Sequence, residues 1–442
     1  MNRTPAVMKW KSSTADRQCP EKKALRPELT PFARKRGTRA MSKLYIVMTG
    51  LPARGKSTVA LRLCEGLAAE GLSVRIFNNG ELRRRHLGED SSLPDFYHPD
   101  NKEGRSKREH LARINAAAAK TFLRDSGQVA ILDATNASRS RRDFLREQLS
   151  DHPILFVECI NNDPELIAAS VQRKARMPEF ARLSPEEAVA SFMERIGYYE
   201  RIYSSPQDEG CFVRVHTLRN QILAESLPHK VPYYIRIRDI LVSDWVRELY
   251  LARHGESQFN VQGRIGGDSS LTERGRSQAD ALAAHFHDKH IPYIFTSRFR
   301  RSRETAAPIS RDHPEAVVMD IPELDEINAG VCDSLRYDDI RARLPDEFAA
   351  RARDKYNYIY PEGEGYVTLR DRVERGFRKA LFLAGGQPGI VIIGHQAINR
   401  MILSLFLFRR TEDVPYIYVP QNQCFHIVAT HQKKLFELVR FE

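Results

Sequence analysis

The 442-residue sequence predicts two α/β domains in tandem, and three observations carry that prediction. The length suits two ordinary domains of roughly 200 residues, each able to bury its own core. Short apolar runs alternate with helical patterns between Leu44 and Thr217, and a second alternation runs from Glu248 to Ala429. Between the two series Pro228, Pro232 and the β-rich stretch 233–242 read as a bridge.

In the first series Leu44–Met48, Val74–Phe77, Val129–Leu132, Ile154–Cys159 and Phe212–Val215 are short, predominantly apolar runs that read as buried parallel strands. The segments 57–70, 101–124, 140–149 and 185–202 carry apolar residues at helical spacing. Strand and helix in turn predict a doubly wound parallel sheet. The second series predicts strands at 248–252, 293–296, 389–393 and 424–429, with helices at 272–287, 369–383 and 397–405. No internal repeat or low-complexity tract interrupts either series.

The first chemical signal follows the first strand. Gly50, Leu51, Pro52, Ala53, Arg54, Gly55, Lys56 and Ser57 fit G-x-x-x-x-G-K-[ST], a loop whose backbone N–H groups cradle nucleotide phosphates. Lys56 is expected to reach the β- and γ-phosphates and Ser57 to ligate magnesium. Asp133 closes the run Val129–Leu132, where a metal-side carboxylate belongs. A carboxylate that ends a strand is on its own more often a turn former; the phosphate loop reverses that weighting. Arginines are dense here, among them Arg83, Arg84, Arg85, Arg105, Arg108, Arg113, Arg141, Arg142 and Arg195. Most are solvated helix-face residues, and some are placed to grip an acceptor that is itself phosphorylated.

The second signal is Arg253-His254-Gly255 at the end of another apolar run. Ser297–Ser302, with Arg298, Arg300 and Arg301, also follows a strand, Glu326 lies in a loop, and Gly394-His395 closes a fourth run. A lone histidine beside a strand is usually a satisfied core or surface residue. Two histidines that both end apolar strands, one after an arginine, point to phosphoryl chemistry: a neutral imidazole to attack phosphorus, cations for the equatorial oxygens, and an acid for the leaving alkoxide.

The formal charge of +12 divides unevenly, with a net +8 in residues 1–40 and only +4 in the other 402. That distribution excludes a general nucleic-acid surface and leaves a disordered basic extension at 1–40. It lacks the long apolar core of a secretory signal, while its sparse acids leave an organellar presequence open. Met41, directly before Ser-Lys-Leu-Tyr-Ile-Val, is an alternative start. The longest apolar run, 401–408, is too short to cross a bilayer, so no membrane segment is expected. Cys19, Cys64, Cys159, Cys211, Cys332 and Cys424 are scattered, the pattern of reduced thiols in a cytoplasmic protein without a structural metal.

Taken in order, the Gly50–Ser57 loop, Asp133-Ala-Thr-Asn136, Asn162-Asp-Pro164, Arg253-His-Gly-Glu-Ser257, Arg264-Ile-Gly-Gly-Asp-Ser269, Ala329-Gly-Val-Cys332 and Asp354-Lys-Tyr356 resemble the bifunctional 6-phosphofructo-2-kinase/fructose-2,6-bisphosphatase family from about Leu44 to Val439. The resemblance implies a P-loop nucleotide-kinase-like domain over 41–245 and a histidine phosphatase, phosphoglycerate mutase-like α/β domain over 246–442. It implies synthesis of fructose 2,6-bisphosphate from fructose 6-phosphate and ATP, and its hydrolysis through a phosphohistidine. In the kinase half the loop, Thr58 and Asn162 would hold ATP, Ser57 and Asp133 would hold Mg2+, and Lys174 would stabilise the transferring phosphoryl group. Arg83, Arg108, Thr135, Arg195 and Tyr199 match positions that hold fructose 6-phosphate. In the phosphatase half, which needs no cofactor, His254 would be phosphorylated, Glu326 would be acid and base, and His395 would stabilise the transferred group with Arg253, Asn260 and Arg301. Gly266, Tyr337, Arg351, Lys355, Tyr366, Gln396 and Arg400 match the sugar-phosphate pocket. A homodimer is implied as well. Two positions depart from the pattern: Asn328 stands where the family has Asp, and Gly365 where it has Ser. The residues also admit a P-loop kinase for another acceptor, such as a polynucleotide, fused to a mutase-like phosphatase, or a chain with one active half.

Overall fold

Two six-stranded sheets, one in each half of the chain, organise the computed structural model, which describes residues 42–87, 89–407 and 410–442. The expected basic extension at 1–40 and the alternative start at Met41 lie outside the described residues.

The first sheet contains β1 (Leu44–Thr49), β2 (Val74–Asn78), β3 (Val129–Asp133), β4 (Ile154–Ile160), β5 (Cys211–His216) and β6 (Gln221–Ser226) in the order β2-β3-β1-β4-β5-β6. The first five are parallel and β6 adds an antiparallel edge. Around them lie α1 (Lys56–Ala69), α2 (Asn79–Leu87), α3 (Lys102–Asp125), α4 (Arg139–Gln148), α5 (Pro164–Ala175) and α6 (Pro185–Ile202). Strand alternation divides the core between the two faces. Leu44, Ile46 and Met48 pack with Leu63 and Leu67 of α1, while Tyr45 and Val47 pack with Ala116, Ala119 and Leu123 of α3. The doubly wound expectation is met, because β1 sits between β3 and β4 and the order in which strands are added reverses there.

The bridge departs from its sequence reading. Instead of an extended stretch, α7 (Tyr234–Val242) is a helix. Ile237, Ile240 and Leu241, at i, i+3 and i+4, are buried in the cluster that contains α1, whereas Ile235 is 76 % exposed. Burial of that three-residue face outweighs the β propensity of the isoleucines. The Arg62 guanidinium then binds the carbonyls of Ile240 and Ser243, tying the bridge to α1.

The second sheet comprises β7 (Val246–Arg253), β8 (Tyr293–Thr296), β9 (Val317–Asp320), β10 (Ile390–Gly394), β11 (Gln423–Ala429) and β12 (Lys434–Arg440), ordered β12-β11-β7-β10-β8-β9. Strands β7, β10, β8 and β9 are parallel; β11 and β12 extend the sheet antiparallel. The helices are α8 (Gln258–Val261), α9 (Glu273–Phe286), α10 (Arg300–Asp312), α11 (Tyr337–Arg343), α12 (Pro345–Arg353), α13 (Tyr366–Ala384) and α14 (Gln396–Leu407). Leu249 and Leu251 face the large cluster with α13 and α14, while Tyr250 and Ala252 face α9 and α10.

Candidate active sites

The first site lies where β1 and β3 end side by side. Val47 is paired with Leu132, so the loop after β1 and Asp133 emerge at the same sheet edge. Gly50, Ala53 and Gly55 have φ of 127°, 62° and 84°, which turns the loop into a concave run of N–H groups ahead of α1. At Gly50 a Cβ would lie 2.5 Å from the Cys159 carbonyl oxygen, so only glycine permits that approach. Lys56 folds over its own loop, donating from Nζ to the Leu51 carbonyl at 2.6 Å. Burial pushes its pKa down to about 8, with Asp133 opposing. Lys174 is likewise lowered to about 8, first by burial and then by Arg173 and Arg195.

A cavity of about 800 Å3 opens over this loop. Pro52 to Thr58, Asp133, Thr135, Lys174, Arg83, Arg108, Arg195 and Tyr199 all line it. Gly50 and Leu51 form the base of the loop behind the lining. Asn162 does not join them: it is exposed after β4, while its neighbour Asn161 is fully buried with its Nδ2 unpartnered. The arginines converge on Tyr97, a residue with no signal in the sequence. The Arg195 guanidinium lies 3.9 Å from its ring centroid, and Arg83 and Arg108 lie 5.8 and 5.6 Å away. Arg83 is also paired at 2.5 Å with Glu179, another wall residue that the sequence left unread. Among the described residues ten cations, Arg54, Lys56, Arg83, Arg84, Arg105, Arg108, Arg141, Arg173, Lys174 and Arg195, outnumber Asp133, Glu109 and Glu179 on the lining, an arrangement that suits polyanionic ligands. A magnesium ion keeps several waters and takes one or two protein oxygens beside the phosphates. The Ser57 hydroxyl and the Asp133 carboxylate on one wall fit that demand.

The second site comes from strand register. Gly394 pairs with Arg253, so the next residues, His254 and His395, leave adjacent parallel strands together, and His254 N donates to the Gly394 carbonyl at 3.0 Å. Their ring centroids are 5.1 Å apart. His254 is only 3 % exposed. Its Nδ1 lies 2.7 Å from the Gly255 carbonyl, which can only accept, so the ring hydrogen is on Nδ1 and the lone pair on Nε2. Arg301 Nε donates to that Nε2 at 3.2 Å. Burial, followed by Arg301 and Arg253, holds the His254 pKa well below the usual histidine value, so the imidazole is neutral near pH 7. Burial and Arg301 lower His395 in the same way.

Arg253, His254, Asn260, Gly266, Arg301, Glu326, Tyr337, Arg351, Lys355, Tyr366, Gln396 and Arg400 line one cavity of about 500 Å3. His395 is off the lining and fully buried, its Nε2 2.7 Å from Ser297 Oγ and its Nδ1 without a partner. The Arg253 Nε is also buried without a partner. The Glu326 carboxylate accepts from the backbone N–H groups of Ile327 at 2.9 Å and Gln396 at 3.1 Å. Burial, then Arg351 and Arg400, lowers Lys355 to about 8. Gln421, which the sequence did not flag, donates to the His254 carbonyl and to Asn260 Oδ1 at 3.1 and 3.0 Å.

Of the two departures, Gly365 lines the cavity and Asn328 does not. A Cβ at Gly365 would meet the Tyr358 carbonyl oxygen at 2.1 Å, so a serine requires the 358–360 segment to shift. Asn328 shapes the loop after Glu326, its Oδ1 accepting from Gly330 N at 2.9 Å.

Known proteins carry the same pair of halves. The sequence model of the family described as 6-phosphofructo-2-kinase matches residues 34–235, and that of the histidine phosphatase superfamily (branch 1) matches 249–442. The 6-phosphofructo-2-kinase/fructose-2,6-bisphosphatase 3 of Rattus norvegicus is 34% identical over 394 residues, covering 86% of this chain and 68% of the relative. The corresponding protein 4 of the same species is 36% identical over 389 residues, covering 85% of this chain and 80% of its own length. The crystal structure of the alpha-ribazole phosphatase from Shigella flexneri superposes with a TM-score of 0.41 at 26% identity, covering 44% of this chain and 96% of that one.

Proposed function

Because this chain belongs to the bifunctional 6-phosphofructo-2-kinase/fructose-2,6-bisphosphatase family, we propose that its two cavities run opposing reactions on one regulator of sugar metabolism. The first, in a kinase domain over 41–245, transfers phosphate from ATP to the 2-hydroxyl of fructose 6-phosphate. The second, in a phosphatase domain over 246–442, removes it. The observation that carries the reading is the coexistence in one chain of a P-loop cavity and a separate cavity headed by His254 and Glu326 over His395. Both activities assayed on one preparation test it: ATP-dependent formation of fructose 2,6-bisphosphate and release of its 2-phosphate are expected together. Phosphorylation of a polynucleotide in place of fructose 6-phosphate, or the lack of either turnover, rejects it.

In the kinase cavity Lys56 and the loop N–H groups bind the ATP phosphates, Lys174 faces the transferring group, and Arg83, Arg108, Thr135, Arg195 and Tyr199 orient fructose 6-phosphate. Mg2+, held by Ser57 and Asp133, would neutralise charge on the β- and γ-phosphates. The pKa values near 8 of Lys56 and Lys174 give a pH dependence. Both ammonium groups are charged below that value and lose the charge above it. With both charges required, the kinase kcat/KM for ATP is therefore expected to fall about thirtyfold from pH 8 to pH 9, since that ratio reports ionisations of the free enzyme. A profile that stays flat to pH 10 overturns this assignment.

In the phosphatase cavity His254 Nε2 is the nucleophile. Arg253, Asn260 and Arg301 bind the phosphoryl oxygens, Glu326 carries the proton, and His395 donates from Nδ1 to the transferred group if Ser297 holds its Nε2. Gly266, Tyr337, Arg351, Lys355, Tyr366, Gln396 and Arg400 receive the sugar 6-phosphate. The protein is further proposed to act as a cytoplasmic homodimer, a reading supported by the family and by the scattered cysteines. Among the described residues no helix is long and apolar enough to cross a membrane.

A further inference from the structure

One wall of the first cavity is not built by the first half of the chain. Phe382, in the last turn of α13, borders that cavity together with P-loop residues Pro52 to Thr58. A Cβ on Gly55 would come within 3.0 Å of the Phe382 ring, which places the ring against the P-loop glycine itself. The end of α13 is tied down on both sides of this contact. Arg173 Nη1 donates to the Leu383 carbonyl at 2.6 Å, and Thr58 Oγ1 lies 3.5 Å from the Gly385 carbonyl. Arg173 and Thr58 line the same cavity. Further back, Lys379 and Arg375 pair with Glu165 and Asp163 of the α5 region at 2.9 and 3.2 Å. Leu166 of α5 is fully buried in the cluster that also holds Leu383. Phe382 borders the phosphate loop at Gly55, whereas Arg83 and Arg195 are gathered around Tyr97.

We infer that Phe382 is a nucleotide-positioning residue that the phosphatase half contributes to the kinase half. Its ring closes the P-loop end of the cavity and gives an apolar surface to a nucleoside triphosphate whose phosphates are on the loop. A half-buried aromatic ring at the rim of a polar, cationic cavity has a different use from the lysines and arginines: it contributes contact area without charge and restrains Gly55, whose φ of 84° sets the loop's curvature. The inference rests on the reading of this cavity as an ATP site.

Full-length wild type, Phe382→Ala and Phe382→Leu decide it, through KM for ATP, KM for fructose 6-phosphate, phosphatase kcat and the Kd of a non-hydrolysable ATP analogue. Phe382→Ala is expected to raise the ATP KM and the analogue Kd about fivefold to tenfold, the scale of one aromatic contact. The fructose 6-phosphate KM and the phosphatase kcat should stay within about twofold, and Phe382→Leu should recover most of the lost affinity through its apolar bulk. An unchanged ATP KM overturns the inference. So does a loss in Phe382→Ala spread equally over both substrates and the phosphatase, since that is the mark of a mere interface filler. If wild type binds the analogue but transfers nothing to fructose 6-phosphate, the acceptor reading fails instead, and the analogue Kd of the two variants still decides the role of Phe382.

Discussion

His254→Ala is expected to abolish phosphoenzyme formation and to lower hydrolysis of fructose 2,6-bisphosphate by about ten-thousandfold or more, because it removes the atom that accepts the phosphoryl group. In the wild-type protein the Nε2 lone pair attacks phosphorus and the bond from phosphorus to the sugar 2-oxygen breaks. Glu326 gives that oxygen a proton. The Gly255 carbonyl, 2.7 Å from Nδ1, holds the ring hydrogen while charge develops on the imidazole. Water then attacks the phosphohistidine, Glu326 takes back a proton, and phosphate leaves with His254 neutral again. Glu326→Gln should slow both steps by roughly a hundredfold to ten-thousandfold, the usual worth of a positioned acid and base. Label from the 2-phosphate should appear on wild-type protein after rapid quenching in alkali, be lost in acid, and persist longer on Glu326→Gln. Label on His254→Ala, or label stable in acid, places the nucleophile elsewhere. Kinase turnover by His254→Ala should remain near wild type, since none of the second cavity's histidines borders the first.

Much of this arrangement was legible because the chemistry sits at strand ends. Apolar runs mark buried parallel strands, so Gly50 after β1, Asp133 at the end of β3, His254 after β7 and His395 after β10 could each be placed at a sheet edge before any register was known. What the residues alone did not reveal is that Gly394 pairs with Arg253, the fact that brings the two imidazoles within 5.1 Å. Edge strands were harder to see. The sequence of β6 is QILAES, with alternating exposure, the apolar pattern of β12 is interrupted by Glu437, and β9, VVMD, is apolar but only four residues long. The bridge misled because Ile235, Ile237 and Ile240 are β-branched, while the helical face of Ile237, Ile240 and Leu241 is only three residues wide. Helix α5, by contrast, had a usable signal: Asp163 caps it, accepting from the N–H groups of Glu165 and Leu166, and Pro164 stands at its first position. Tyr97, Glu179 and Phe382 carry no motif. They reach the first cavity through tertiary contacts, and Phe382 does so from the other half of the chain.

Lys56→Ala supplies the other large effect, and it separates the halves. Each charge-assisted hydrogen bond to a phosphate contributes about 1.5–3 kcal/mol, and loss of two such bonds slows transfer by roughly a hundredfold to ten-thousandfold. Lys56 is buried under its loop, with its Nζ already 2.6 Å from the Leu51 carbonyl, so the ammonium is held where the phosphates would sit before any ligand arrives. An alanine there removes the charge and the tether of the loop together, and no neighbouring lysine can substitute at the same place, because Lys174 comes from the end of α5. Phosphatase turnover should be unchanged, since Lys56 does not line the second cavity. Kinase and phosphatase rates measured on the same variant preparation decide the matter. Equal loss of both activities would mean misfolding or a shared site, and the account of two independent cavities would fall.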